Sequence, residues 1–169
     1  MLTYDLAPST GGVQTYCREV GSRLGTRHQV VILTTESGAV DALAGSPVEV
    51  LQIASPSAPA FWRSLRMVRP ERVLVMHAHP QLLMAARASV RRFAALAHGN
   101  DVLAAQRHWH RPLTNRLLAA ARPLITHASA MSARLAALGI PGAQVIAPGT
   151  DPRRFTPATQ PPSAGPVLL

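Results

Sequence analysis

The sequence predicts an α/β fold, a parallel sheet with helices on both faces, and three observations carry that prediction. The apolar runs 29–34, 72–76 and 93–97 are continuous rather than alternating, as strands covered on both faces require. Segments with helical spacing separate these runs, so strand and helix alternate along the chain. Turn-forming or polar residues follow the runs: Gly11-Gly12, His77-Ala78-His79 and His98-Gly99-Asn100-Asp101. In an open parallel sheet such segments sit beyond the carboxyl ends of the strands, where ligands bind, so the three should converge on one crevice.

In order, Leu2-Thr3-Tyr4 reads as a first short strand. The turn with paired glycines comes next, then a helix with Ser9 or Thr10 as its N-cap and Val13, Tyr16/Cys17, Val20 and Leu24 on one buried face. Adjacent glycines permit positive φ and let a ligand approach main-chain N–H groups that a Cβ would shield. The start of the following helix favours an anion such as phosphate, by roughly 0.3–1 kcal/mol at an exposed site. Gly25 stops that helix, and Gln29–Thr34 is a buried strand. Residues 37–46 read as a loop and Val48–Ile53 as the next strand. A helix spans about Ala60 to Val68 and closes at Pro70. Arg72–Met76 is a strand, Gln81–Val90 a helix, and Phe93–Ala97 a strand that stops at His98. A long helix covers roughly Thr114 to Ala121, with an earlier start also open, and Pro123 ends it. Leu124–Thr126 is a short strand. Ser129 caps a helix with Met131, Leu135 and Leu138 on one face and Gly139 at C′. Gln144–Ala147 is a last short strand.

Composition bounds the function. A chain of 169 residues suits one domain that buries roughly 70% of its unfolded surface. Only 4% of residues are aromatic, so Ala, Val and Leu must fill the core. No apolar run approaches the ~18–20 residues of a transmembrane helix, and the first residues lack the basic start and apolar core of a signal peptide. Cys17 is the only cysteine, which excludes an internal disulfide and fits a core thiol in a reducing cytoplasm. The net charge is +9, and all 17 basic residues are arginine. The arginines are scattered without a zinc-finger spacing or an RNA-recognition pattern, so nucleic acid is not an expected partner.

These segments, in this order, resemble a known family. They are Gly11-Gly12-Val-Gln-Thr-Tyr16 after a strand, Gln29–Thr34, Val73–His79, His98-Gly99-Asn100-Asp101, and Ser129 to Gly139. The series closes with Val145-Ile-Ala-Pro-Gly149-Thr-Asp151-Pro-Arg-Arg-Phe155-Thr-Pro157. The chain resembles the N-terminal, acceptor-side domain of a family-4 retaining glycosyltransferase, a GT-B enzyme built from two Rossmann-like domains. The resemblance implies a Rossmann-like domain over residues 1–157. Residues 158–169 would be a Pro-rich linker and the truncated first strand of a missing C-terminal domain. It further implies transfer of a glycosyl unit from a nucleotide-diphosphate sugar to a glycan, lipid or small-molecule acceptor, with retention and without cofactor or metal. Gly11 and Gly12 would lie against the donor's phosphates or sugar, and His98 would be the catalytic-site residue beside the reacting sugar. Gln14, Tyr16, His77 and Asp101 would face the acceptor, while Gly149 and Asp151 would shape the crossover between domains. The family's paired glutamates belong to the C-terminal domain, so the chain alone should catalyse little. The alternatives are a non-catalytic acceptor-binding module and an unrelated Rossmann-like nucleotide-binding protein.

Several residues carry two readings. His98 as a general base is not required, because a retaining transfer needs leaving-group stabilisation. Asp101 suits either sugar hydroxyls or a helix cap, and Tyr16 either the acceptor or the core. His77-x-His79 and His108-x-His110 raise a metal site, but no cysteine or carboxylate cluster completes a ligand set, and none is expected. Phe61 and Trp62 precede Arg63, Arg66 and Arg69, three apart on one helical face. That face is either a contact with an anionic inner-membrane surface, at about 1 kcal/mol per arginine, or an ordinary solvated face. The expected location is cytoplasmic, peripheral at the membrane if the first reading holds.

Overall fold

The computed structural model of the chain describes residues 1–149. The expected crossover segment 150–157, with Asp151, and the linker and strand 158–169 lie outside the described residues. The elements run β1 (Leu2–Thr3), α1 (Gly12–Gly25), β2 (Val31–Thr34), α2 (Ala39–Ala42), β3 (Glu49–Gln52), α3 (Ala58–Val68) and β4 (Val73–Val75). They continue with α4 (Pro80–Ser89), β5 (Phe93–Ala97), α5 (Gly99–Gln106), α6 (Arg111–Ala120), β6 (Leu124–Thr126), α7 (Ser129–Ala137) and β7 (Gln144–Val145).

The strands form one seven-stranded sheet in the order β3-β2-β1-β4-β5-β6-β7. Every pairing is parallel, with Leu2 opposite both Leu33 and Val75, Val73 opposite Phe93, and Ala95 opposite Leu124. This is a Rossmann-like doubly wound sheet, whose strand order reverses between β1 and β4.

Side chains that alternate across the sheet build a core on each face. On one face Leu2, Val73, Val75, Phe93 and Ala95 join Phe61 and Leu65 of α3, Leu82 and Leu83 of α4, and Leu118 of α6. On the other, Ile32, Met76 and Leu96 pack with Cys17 of α1, Leu6 and Ala39. The continuous apolar runs reflect this double covering. Phe61 is fully buried, edge-on to Tyr4 at 5.7 Å between ring centroids, so it is a core anchor rather than a surface partner of Trp62.

The structure corrects several local expectations. Residues 37–46 contain the short helix α2, entered through Gly38 at φ 75°. The His98–Asp101 segment, read as the turn that ends β5, opens the helix α5, which the sequence reading did not place. Gly99 and Asn100 at its start read as turn residues, and few apolar positions marked a face, since only Val102 and Ala105 are buried. Neither Ser9 nor Thr10 caps α1: the N-cap is Gly11, without a side-chain hydrogen bond, and the Ser9 hydroxyl donates to Glu36 at 2.6 Å. Neither Gly11 nor Gly12 takes a left-handed φ. Gly11 is extended, and a Cβ there would collide with the Gln14 side chain; one on Gly12 would meet open space. Leu24 is exposed and leaves the buried face to Cys17 and Gly21.

Gly25 is the last helical residue, and its lack of a side chain admits the Pro47 carbonyl. Ser129 is the first residue of α7 and caps nothing, because Ala128 holds the N-cap position. The C-terminus of α7 matches expectation. Gly139 has φ 78°, its N–H donates to Ala136 and that of Ile140 to Leu135, a Schellman closure with Leu135 and Ile140 both buried.

Candidate functional site

The carboxyl ends of β1, β4, β5 and β6 and the start of α1 bring a polar cluster to the sheet's switch point. The cluster is organised around His77, which follows β4 and is only 4% exposed. Thr3, the last residue of β1, donates its hydroxyl proton to the Asp5 carbonyl at 2.9 Å and therefore accepts from His77 Nε2, also at 2.9 Å. His77 Nδ1 lies 3.2 Å from Asp101 Oδ2, and Asp5 Oδ2 lies 3.7 Å from Nε2. Both ring nitrogens are thus donors. Burial works against a charged ring, but the Asp101 hydrogen bond and the neighbouring Cys17 sulfur outweigh it and raise His77 to about 9. Burial likewise opposes ionisation of Asp101. The His77 bond, the nearby rings of His77 and His98 and the Ala78 backbone prevail, and hold its carboxyl below the usual value. The result is a partly buried ion pair that ties the end of β4 to α5 and fixes the Asp101 carboxylate.

Beside it stand three rings. His98, at the end of β5, is the N-cap position of α5. Its ring centroid is 5.8 Å from that of His77, 5.3 Å from that of His127 and 6.1 Å from that of Tyr16. Burial and then the neighbouring histidines push its pKa down against the pull of Asp101, so its ring is neutral near pH 7. Tyr16, half-buried on α1, lies edge-on to His127 at 4.6 Å. Gln14 donates from Nε2 to Asp5 Oδ1 at 3.3 Å. The first helical bond of α1 runs from Thr15 N–H to Gly11 carbonyl. The N–H groups of Gly12, Val13 and Gln14 therefore have no partner within the helix.

All seven expected crevice residues, Gly11, Gly12, Gln14, Tyr16, His77, His98 and Asp101, gather at this edge. Gly11 and His98 share it, because Tyr16, one turn into α1, packs against the His98 ring. The seven do not take equal places. His77 turns inward with both nitrogens engaged by the chain, and so has none left for an acceptor. Four further members went unrecognised in the sequence: Thr3, Asp5, Cys17 and His127. A signal existed for three of them. Thr3 ends β1, Asp5 follows it, and His127 follows β6 as His98 follows β5. Cys17 gave no sign of lying 3.4 Å from Thr3 Oγ1.

His77 and His79 do not share a strand face: β4 has ended, and His79 is exposed at the start of α4, edge-on to Tyr4 at 5.0 Å. His108 and His110 stack at 5.1 Å in the turn between α5 and α6. Among the described residues, no group of three or more His, Cys, Asp or Glu side chains could hold a metal ion.

The basic helix lies elsewhere. On α3, Trp62, Arg63, Arg66 and the C-capping Arg69 point outward, with the Arg66 guanidinium 5.6 Å from the Trp62 ring centroid. Trp62 also edges an apolar hollow of about 390 Å³ against Met84 and Ala88 of α4. No helix among the described residues is long and apolar enough to cross a membrane.

An open parallel sheet whose strand order reverses at its centre defines a Rossmann-like domain. Its family is narrower: the chain belongs to glycosyltransferase family 4, whose family model matches residues 10–154. No curated protein matches it. The match covers the crevice from Gly11 onward and the α3 face, so the domain is a glycosyltransferase domain, and an unrelated nucleotide-binding fold is set aside.

Proposed function

We propose that this domain forms the acceptor-side wall of a retaining, metal-independent glycosyltransferase that uses a nucleotide-diphosphate sugar, and that a second, donor-binding domain completes the enzyme. The observation that carries this reading is the convergence, at one sheet edge, of an uncapped helix start, a neutral histidine and a fixed carboxylate. The Gly12 to Gln14 N–H groups suit a phosphate, because Gly12 leaves open space above the backbone. His98 and Asp101 suit sugar hydroxyls. Charge developing at the leaving diphosphate would meet the helix start rather than a general base. By itself the domain supplies half of these contacts, so it should bind donor weakly and transfer little.

Nuclear magnetic resonance titration of the ¹⁵N-labelled chain with UDP-glucose and GDP-mannose tests this. Amide shifts at residues 11–16 and 98–101, at millimolar ligand and without turnover, are the expected result. Gly12→Ala should keep or slightly raise stability, by up to about 1 kcal/mol, yet abolish the shifts at residues 11–14. Micromolar affinity in the isolated chain would overturn the half-site reading, and shifts confined to other surfaces would overturn the site.

The outward face of α3 supports a second contact, an anionic membrane leaflet that would hold the domain near lipid-borne acceptors. The stacked Trp62–Arg66 pair beside Arg63 and Arg69 favours it.

A further inference from the structure

His127 has no role in anything argued so far, yet its environment is the least satisfied in the crevice. Its Nδ1 lies 3.0 Å from the Ile146 carbonyl. A carbonyl only accepts, so Nδ1 carries a proton, and in the imidazole form Nε2 is then a bare lone pair. His98 presents the same state. The Met76 backbone beside its ring favours a proton there, as an accepting carbonyl does, and Nε2 has no partner. The nitrogen left over is again Nε2. Both Nε2 atoms are shielded from solvent and have no partner. The rings lie 5.3 Å apart, and Tyr16 packs edge-on against both.

Buried polar atoms without partners are rare, and those that persist in a crevice point to a ligand that supplies the missing half. Two lone pairs accept from O–H or N–H and repel phosphate oxygens and carboxylates. We propose that His98 and His127 form a paired acceptor clamp for two hydroxyls of one sugar ring, with the Tyr16 ring as the cover the sugar displaces. His127 is then a specificity-determining residue. The crevice divides its labour: N–H donors of α1 take the anionic part of a ligand, and the imidazole pair takes its hydroxyls. This inference rests on the transferase reading and names the sugar-recognising chemistry within it.

Long-range ¹H–¹⁵N spectra of the histidine rings test the clamp in the intact chain. Both His98 and His127 should show the Nδ1–H tautomer without ligand. D-glucose, D-mannose or UDP-glucose should move both Nε2 signals toward the hydrogen-bonded acceptor range, and a deoxy analogue lacking a clamped hydroxyl should leave one of them unmoved. His127→Phe should weaken UDP-glucose binding about three- to tenfold while the amide shifts at residues 11–14 persist. An Nε2–H tautomer at His127 would overturn the clamp whether or not any variant folds. Shifts at residues 11–14 with silent His98 and His127 rings would overturn the clamp alone. No shift anywhere along the crevice would overturn the transferase reading, and the clamp with it.

Discussion

His77 shows how a histidine at a strand end, expected to face a ligand, comes to support a neighbouring carboxylate instead. Its two donors are spent on Thr3 and Asp101, so its charge orients a carboxylate. The pH dependence follows from the sign of its shift. Folding raises His77 from an ordinary 6.5 to about 9, so the native state binds its proton more tightly than the unfolded chain does. Its contribution is fully present below pH 6.5 and fades as pH rises toward 9. Removing one donor to a charged partner costs about 1–3 kcal/mol. We therefore expect His77→Asn to lower stability by about that amount at pH 6, with the gap to wild type closing by pH 9 or above. Denaturant melts at several pH values measure it; a gap independent of pH would mean that the pair is not charged in the native state.

At the scale of elements, glycine and arginine placements decide how helices meet their neighbours. Gly25 lets α1 end against the segment that enters β3, because the Pro47 carbonyl occupies the space a Cβ would need and Val48 Cγ1 would lie 3.0 Å from it. Backbone cannot rotate away as a side chain can, so Gly25→Ala should cost about 1–3 kcal/mol, measured as a lower urea midpoint with an unchanged slope. The same substitution at Gly12 meets nothing, which makes the two glycines a matched pair of opposite sign.

On α3, the face opposite buried Phe61 and Leu65 collects Trp62, Arg63 and Arg66 at helical spacing, with Arg69 in the left-handed capping position. Replacing the three arginines with alanine should reduce sedimentation with phosphatidylserine vesicles at low salt by tenfold or more, at roughly 1 kcal/mol per arginine. Equal binding by wild type and variant would leave that face as a plain solvated one.

For the whole molecule, the order β3-β2-β1-β4 brings the polar segments after the central strands to one edge. β1 contributes Thr3 and the loop through Asp5 to Gly11, while β4, β5 and β6 contribute His77, His98 and His127 in spatial sequence. Each of these strands leads into a polar residue at the same edge. The family match over residues 10–154 takes in all of these from Gly11 onward. It leaves Thr3 and Asp5, which complete the His77 network, at the unmatched N-terminal margin.

Hydrophobic continuity was enough to read the strands: Phe93–Ala97 and Leu124–Thr126 stand where the apolar runs put them, because a strand buried on both faces has no alternative pattern to imitate. Turn chemistry was enough for the end of α7 at Gly139 and for the shared edge of Gly11 and His98. It failed at α5, where Gly99 and Asn100 open a helix and only two buried side chains mark its face. Side-chain partnership was beyond sequence altogether. Whether a histidine faces a ligand, a carboxylate or another histidine depends on residues 24 to 74 positions away, as His77 does on Asp101 and Thr3. Local spacing records which way the backbone runs, but only the closing of the sheet brings strand ends together, and with them the proton donors and lone pairs that distinguish a supporting imidazole from a recognising one.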